Sequence, residues 1–390
     1  MSAVRYPIKD QTAIAGVASP PYVRDAGRTA TAMVVDACIG AIRDAGLTGA
    51  DIDGISGSHI APAYAIQAAL GLPSITWWCN PIIPFQHQVV EAMNAVYAGI
   101  CSTVLCYHGT YRAGGTSRSA AVNPFRARYG PGLNVLSPTP DTLFGPVGYA
   151  AWAARYLHDY GLGREILGMV AINDRSNAVT NPHAALRSPL TMEEYLEARM
   201  VREPLSILDM DYPVDGADAF IITTAERARD LAKRPVLIHA AVMGETGLPY
   251  EDQTVDLDHT GQQIVVEQLW RRSDVRLDDV DIFFPYDGFS IITVRWFETI
   301  GYCGNGEALG FFLDNWDKQT DRLQVNGRVL VNTHGGSLSD GGTQGSGHFR
   351  EAVLQLRGEE GARQSPGVKT ALLTPGGLFF NSGGVVLRTE

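Results

Sequence analysis

The sequence predicts a duplicated α/β protein: two related halves whose sheets are covered by helices on both faces. Three observations support this. The strands read as near-continuous apolar runs alternating with helical patterns, as sheets buried on both sides require. The same order of elements occurs twice, and Leu277-Asp-Asp-Val-Asp281 echoes Leu47-Thr-Gly-Ala-Asp-Ile-Asp53 in composition and in its place between helix and strand. At 390 residues the chain also exceeds the usual size of a single core.

In the first half, residues 1–235, Thr12–Ala18 is a short apolar strand. Thr29–Ala45 carries Met33, Ala37, Ile39, Ala41 and Ile42 at helical spacing and stops at Gly46. Ile66–Leu72 and Gln86–Ala98 read as helices, and Ser102–Tyr107 as the strand that follows. Composition then changes. Residues from about 109 to 205 form an inserted loop domain with turn-rich basic stretches such as Arg112-Ala-Gly-Gly-Thr-Ser-Arg-Ser119 and Phe125-Arg-Ala-Arg-Tyr-Gly-Pro131. Gly145–Leu162 and Met192–Met200 look helical within it. A long insertion in a compact domain is usually functional, here as a substrate lid or a dimerisation arm. Asp211–Ile222 returns to a strand before the helix Ala225–Ala232. The second half, residues 236–390, repeats the pattern. Its strands are Val236–Val242, Asp281–Phe284 and Val368–Leu373, and its helices are Gly261–Arg272, Ile291–Ile300 and Gly345–Leu356.

A net charge of -11 and a pI near 5.3 argue against nucleic acid or an anionic membrane as the main partner. The five cysteines contain no CxxC pair, which fits reduced, buried thiols. The N-terminus, Met-Ser-Ala-Val-Arg-Tyr-Pro, lacks the apolar core of a signal peptide, and no apolar run is long enough to span a bilayer. A cytoplasmic protein is expected. The histidines show no metal-ligand spacing, so no metal is expected.

The chemistry concentrates in Asp281-Ile-Phe-Phe-Pro-Tyr-Asp-Gly-Phe-Ser290, which reads as a buried strand delivering Tyr286 and Asp287 to the start of a helix. In open α/β sheets, the carboxyl ends of strands are where ligands are handled. Two glycine-rich segments accompany it, 331–345 and 374–384, where backbone amides can approach a ligand closely. Neither is a P-loop or a dinucleotide fingerprint, and the chain has no G-x-S-x-G elbow. His334, in the first glycine segment, suits an acid/base or a hydrogen-bonding support, and His348 lies in the helix that follows. These residues indicate an enzyme with a strand-end site near Tyr286, without naming the reaction.

Asn177-Ala-Val-Thr-Asn-Pro-His-Ala184, Arg202-Glu-Pro-Leu205, Asp215-Gly-Ala-Asp218, Tyr286-Asp-Gly-Phe289, Asn332-Thr-His-Gly-Gly336 and Gly383-Gly384 occur in this order. Together with the duplicated elements, this series resembles the thiolase superfamily. It is most similar to the sterol-carrier-protein type, the lipid-transfer branch. The resemblance covers essentially the whole chain. It implies a five-layer α/β/α/β/α fold, a homodimer and acyl-CoA substrates, with coenzyme A entering as part of the substrate and no bound cofactor.

The departures from a true thiolase decide the expected activity. The nucleophilic cysteine position falls near Ile82, and Cys79 precedes the helix. The Gly-His-Pro histidine falls at Gly342, and the second cysteine is absent, with Asn381 and Ser382 nearby. Acyl transfer on cysteine is therefore not expected. What remains resembles the steroid side-chain aldolases, which cleave a β-hydroxyacyl-CoA and carry a Tyr-Asp-x-Phe motif with a catalytic tyrosine. The resemblance implies that Tyr286 removes the β-hydroxyl proton and that the carbon–carbon bond breaks to a ketone or aldehyde plus an acyl-CoA enolate. Tyr286, Asp287, His334 and His348 are the candidate catalytic residues. Gly335, Gly336, Gly342, Asn381 and Gly383 are candidates for holding the acyl-CoA or enolate through the glycine segments. Arg112, Arg118, Arg126 and Arg128 are candidates for the CoA phosphates, or for solvated or dimer-facing positions. The aldolases carry a second tyrosine where this chain has Gly342, so water, His334 or His348 is left to protonate the enolate. They also work with a small OB-fold/zinc-ribbon partner. The alternative readings are a non-catalytic thiolase-like subunit of an acyl-CoA enzyme complex and a cysteine-independent acyltransferase.

Overall fold

The computed structural model describes residues 6–58, 60–81, 84–112, 146–246, 258–378 and 381–390. The first part of the chain gives β1 (Thr12–Ala18), α1 (Ala30–Asp44), β2 (Gly54–Ser56), α2 (Ala63–Leu70), β3 (Trp77–Cys79), α3 (Gln86–Tyr97) and β4 (Thr103–Thr110). Next come α4 (Pro146–Tyr160), α5 (Glu165–Val179), α6 (Met192–Glu197), a small hairpin of β5 (Met200–Arg202) and β6 (Leu205–Ser206), then β7 (Gly216–Thr224) and α7 (Ala225–Arg229). The remainder gives β8 (Val236–Gly244), α8 (Gly261–Arg272), β9 (Ile282–Pro285), α9 (Ser290–Ile300), α10 (Ala308–Asp314), β10 (Trp316–Asp317), β11 (Arg322–Val325) and β12 (Val329–Val331). It closes with α11 (Ser346–Arg357), β13 (Thr370–Thr374) and β14 (Ser382–Arg388).

Twelve strands form one sheet in the order β10-β11-β12-β9-β13-β14-β8-β1-β7-β4-β2-β3. The order β12-β9-β13-β14-β8 on one side of the β8–β1 junction mirrors β1-β7-β4-β2-β3 on the other. The junction itself is a short antiparallel contact, Ala13 opposite Leu237 and Ile14 opposite Val236.

The five layers follow from strand periodicity. Successive side chains point to opposite faces, and both faces are apolar. Inward residues such as Val104, Phe220, Ile222, Ile282, Phe284, Val385 and Leu387 close on a central layer made by α3 and α11. Phe85 beside α3 and Phe349 on α11 meet there with ring centroids 5.1 Å apart. The alternate residues Leu105, Tyr107, Ala219 and Ile221 face α1 and α2 on one outside. Phe283, Leu372 and Val386 face α4, α5, α8 and α9 on the other.

Most elements lie where their periodicity puts them, with differences that have local causes. Helix α2 spans Ala63–Leu70, earlier than expected, and stops at Gly71, whose φ of 62° is the left-handed cap that glycine favours. The helix expected over Met192–Met200 ends at Glu197, because Ala198 is extended and the chain turns into β5. Helix α5 has no counterpart among the helices its sequence pattern predicts. It is buried on nearly every side and so shows no amphipathic stripe. No helix among the described residues is long and apolar enough to cross a membrane.

Helix α8 starts with a capping box: the Thr260 side chain accepts from Gln262 N at 3.3 Å, and Gln263 Oε1 accepts from Thr260 N at 2.8 Å. Thr260→Ala is expected to destabilise the protein by about 1 kcal/mol, read as a lowered urea midpoint at unchanged slope.

Candidate active site

β12, β9 and β13 run parallel, so their carboxyl ends open on one edge and their loops converge there. The loop after β9 is Tyr286–Phe289, the one after β12 is the glycine segment 332–345, and the one after β13 leads to Asn381. The backbone ties them together: Tyr286 N donates to Thr374 O at 3.2 Å, and Asn332 N donates to Phe283 O at 3.0 Å. Ser290 opens α9 by donating its Oγ to Asp209 Oδ1 at 2.7 Å and its N to Asp209 O at 3.0 Å. The same Asp209 accepts from Ser206 and Tyr195, so the inserted region is anchored directly to the start of the site helix.

Tyr286 is buried at 6% exposure, and its ring folds over Gly288. A Cβ at Gly288 would lie 2.5 Å from the ring and 2.6 Å from the hydroxyl, so the Tyr-Asp-Gly-Phe turn needs glycine there. The other half of the molecule brings two charged groups to this point. Asp211, ahead of β7, donates its amide to Gly288 O at 3.1 Å. Arg112, just after β4, grips its carboxylate with both terminal nitrogens, each at 2.9 Å. Both terminal nitrogens of Arg112 are thus engaged by Asp211.

Asp211 also fills the space beside Gly342, where an added Cβ would lie 2.7 Å from its Cγ. A tyrosine at 342 has no room beside this ion pair. Burial pushes the Tyr286 hydroxyl well above the ordinary tyrosine range; Asp211 adds to this, Arg112 opposes it and Asp287 adds again. Tyr286 is protonated at rest.

On the opposite side, Asp287 accepts from Ser337 N and Leu338 N, both at 2.8 Å. His348 Nε2 lies 3.0 Å from its Oδ1. Burial would raise Asp287, but the His348 contact outweighs it and holds the group below the usual carboxylate range. A carboxylate only accepts, so Nε2 of His348 carries a proton toward Asp287, and the other ring nitrogen, Nδ1, is left outside this contact. That Nδ1 is buried and has no partner among the described residues. The His348 ring lies 5.9 Å from the Tyr286 ring and 4.6 Å from the His334 ring, centroid to centroid.

The candidates expected from sequence therefore separate. Tyr286, Asp287 and His348 come together. His334 sits behind His348, 1% exposed, and burial lowers its pKa to about 3, so it is neutral and supplies no acid at neutral pH. The amides of Gly335 and Gly342 are already spent on Asn332 O at 2.8 Å and Tyr212 O at 2.8 Å, which removes them as enolate donors. Gly336 packs against Asp287 and Asp174, and Gly383 against Gln86. Asn381 uses its Oδ1 to accept from Gly377 N at 2.9 Å. Arg118, Arg126, Arg128 and Ile82 lie outside the described residues.

Sequence reasoning missed Asp174 on α5. The signal available was a run of polar residues, Asn173, Asp174, Arg175 and Asn177, inside an otherwise apolar helix.

Cys79 lies on β3, 3.3 Å from Ser56 Oγ, and burial pushes its thiol up to about 11. Burial raises the other four thiols as well.

His334 also gives a pH prediction. The unfolded chain takes up a proton on this histidine below about pH 6.5, whereas the folded site resists doing so until about pH 3. Its contribution to stability is therefore full above about pH 6.5 and is lost as pH falls toward 3. His334→Gln should flatten that loss by up to ~1.4 kcal/mol per pH unit, measured by urea unfolding between neutral pH and pH ~5.

Residues 250–389 match the family model for the thiolase C-terminal domain-like family. The chain is 31% identical over 387 residues to 17-hydroxy-3-oxo-4-pregnene-20-carboxyl-CoA lyase of Mycobacterium tuberculosis, covering 95% of this chain and 97% of that protein. It is 30% identical to a steroid side-chain-cleaving aldolase of Thermomonospora curvata, covering 97% and 98%. Among solved structures, the Ltp2-ChsH2(DUF35) aldolase superposes with a TM-score of 0.82 at 28% identity over 98% of both chains. Human mitochondrial 3-ketoacyl-CoA thiolase shares the fold, with a TM-score of 0.68 at 14% identity over 99% of this chain and 100% of that one. The chain is an enzyme of the thiolase superfamily and belongs to its carbon–carbon lyase branch, the steroid side-chain-cleaving aldolases.

Proposed function

We propose that the protein cleaves a β-hydroxyacyl-CoA bearing a steroid or similarly bulky side chain by a retro-aldol reaction, with Tyr286 as the base and no acyl-cysteine intermediate. The observation that carries this reading is the setting of Tyr286. A buried hydroxyl stands at a strand end between an Asp287–His348 pair and an Arg112–Asp211 pair, in a chain whose cysteine thiols are all raised by burial.

Because Tyr286 is protonated at rest, it works by concerted transfer. It takes the substrate's β-hydroxyl proton as its own passes to Nδ1 of His348, and Asp287 balances the imidazolium so formed. The hydroxyl oxygen's electrons close into a carbonyl, the carbon–carbon bond breaks, and its pair becomes the thioester enolate. The proton held by His348 then passes to the α-carbon, so overall one proton moves from the hydroxyl to the α-carbon and Tyr286 and His348 end as they began. Coenzyme A enters as part of the substrate. We also infer a DUF35-type partner, supported by the likeness to the Ltp2-ChsH2(DUF35) aldolase. A homodimer is supported by the edge strand β3, where Trp78 is 61% exposed.

Incubating the protein with a bulky β-hydroxyacyl-CoA, alone and with such a partner, tests the reading. The expected result is release of the carbonyl compound and a shorter acyl-CoA. An intact substrate in the presence of the partner would refute it.

A further inference from the structure

Two buried carboxyl groups face each other behind Tyr286, and the reaction above uses only one of them. Asp174 comes from α5 and Asp287 from the turn after β9, and both have 0% exposure. They converge on the α-carbon of Gly336, where an added Cβ would overlap Oδ2 of Asp287 and lie 2.5 Å from Oδ2 of Asp174. Two carboxylates this close in a dry site do not both ionise.

The donors decide which one keeps the proton. Asp287 receives three: Ser337 N and His348 Nε2 on Oδ1, and Leu338 N on Oδ2. A carboxylate offers about four acceptor sites, so one site on Oδ2 remains. Asp174 receives Asn173 Nδ2 on Oδ1 at 3.0 Å and lies beside the Asn332 side chain, still fewer donors than Asp287 has, and no well-aligned hydrogen bond reaches its buried Oδ2 among the described residues. A proton on that Oδ2 fills both gaps at once.

We propose that Asp174 is a neutral carboxylic acid that donates Oδ2–H to Oδ2 of Asp287 and so acts as a positioning residue for the Asp287–His348 pair. With all four of its sites occupied, the Asp287 carboxylate cannot rotate, and Oδ1 stays turned toward Nε2 of His348. That holds Nε2–H of His348 on Asp287 and leaves Nδ1, which has no partner among the described residues, for the proton relay proposed above. The catalytic part of this inference rests on the retro-aldol reading; the protonation state of Asp174 does not.

Infrared spectroscopy of the whole protein at neutral pH tests it together with two variants. Wild type is expected to show a protonated-carboxyl C=O band that disappears in Asp174→Asn. That variant keeps a donor toward Asp287 and an acceptor toward Asn173, so its kcat should stay within ~3-fold of wild type. Asp174→Ala should lose ~10²-fold, the scale of misplacing a catalytic group. Absence of the band in wild type overturns the proposal, as does an Asp174→Asn loss as large as that of Asp174→Ala. If wild type shows the band but cleaves no β-hydroxyacyl-CoA, the retro-aldol reading fails while the shared proton stands.

Discussion

Tyr286→Phe is expected to lower turnover of a β-hydroxyacyl-CoA by about 10²–10⁴-fold with little change in stability, the range supplied by one positioned proton-transfer group. The stability half of the expectation comes from packing. The ring lies against Gly288 and within the outer core, and phenylalanine keeps all of that contact. No hydrogen bond to the hydroxyl is found among the described residues, so its removal orphans no buried partner. A loss confined to kcat, with KM close to wild type, would mark an interaction made in the transition state. Turnover unchanged in this variant would remove Tyr286 from the chemistry.

Arg350→Met is expected to cost about 3–5 kcal/mol, because it leaves buried carboxylates without their counter-charge. Arg350 is 4% exposed and joins the two halves beneath the glycine segment. Its Nη2 lies 2.7 Å from Asp340 Oδ2, in the turn that follows Gly336, and its Nη1 lies 3.5 Å from Asp218 Oδ1 on β7. The guanidinium also stacks 5.0 Å over the Tyr22 ring, whose hydroxyl donates to Asp218 at 2.5 Å. Burial would raise Asp340, but Arg350 outweighs it and holds that carboxyl far below its ordinary range. Unfolding in urea at neutral pH should show the loss directly. A cost below about 1 kcal/mol would mean that these acids take up protons instead and that the cluster is not ionic.

The parts of this molecule legible in the sequence are those that a local pattern determines. Thr12–Ala18 and Gly261–Arg272 have the bounds that their apolar spacing and flanking turns give. The delivery of Tyr286 from a buried strand to a helix start is written in Asp281–Ser290. Helix α5 is not legible that way, since burial on every side erases the stripe that marks a surface helix. Asp174 was lost with it. The pairing of His348 with Asp287 is not legible either, because the two lie 61 residues apart in sequence. Gly342 read as a missing tyrosine; only the fold shows Asp211, clamped by Arg112, standing in the space such a side chain needs. Long-range contacts of this kind leave no periodic trace in the chain.

The central claim is carbon–carbon cleavage by proton transfer without cysteine, and cleavage in heavy water without free coenzyme A tests it most directly. Products and intact protein are read by mass spectrometry during turnover of a bulky β-hydroxyacyl-CoA with the DUF35-type partner present. The account predicts carbonyl compound and acyl-CoA in equal amounts, deuterium on the α-carbon of the acyl-CoA, and no acyl mass on the protein. A requirement for free coenzyme A, or an acyl adduct on Cys79, would contradict it.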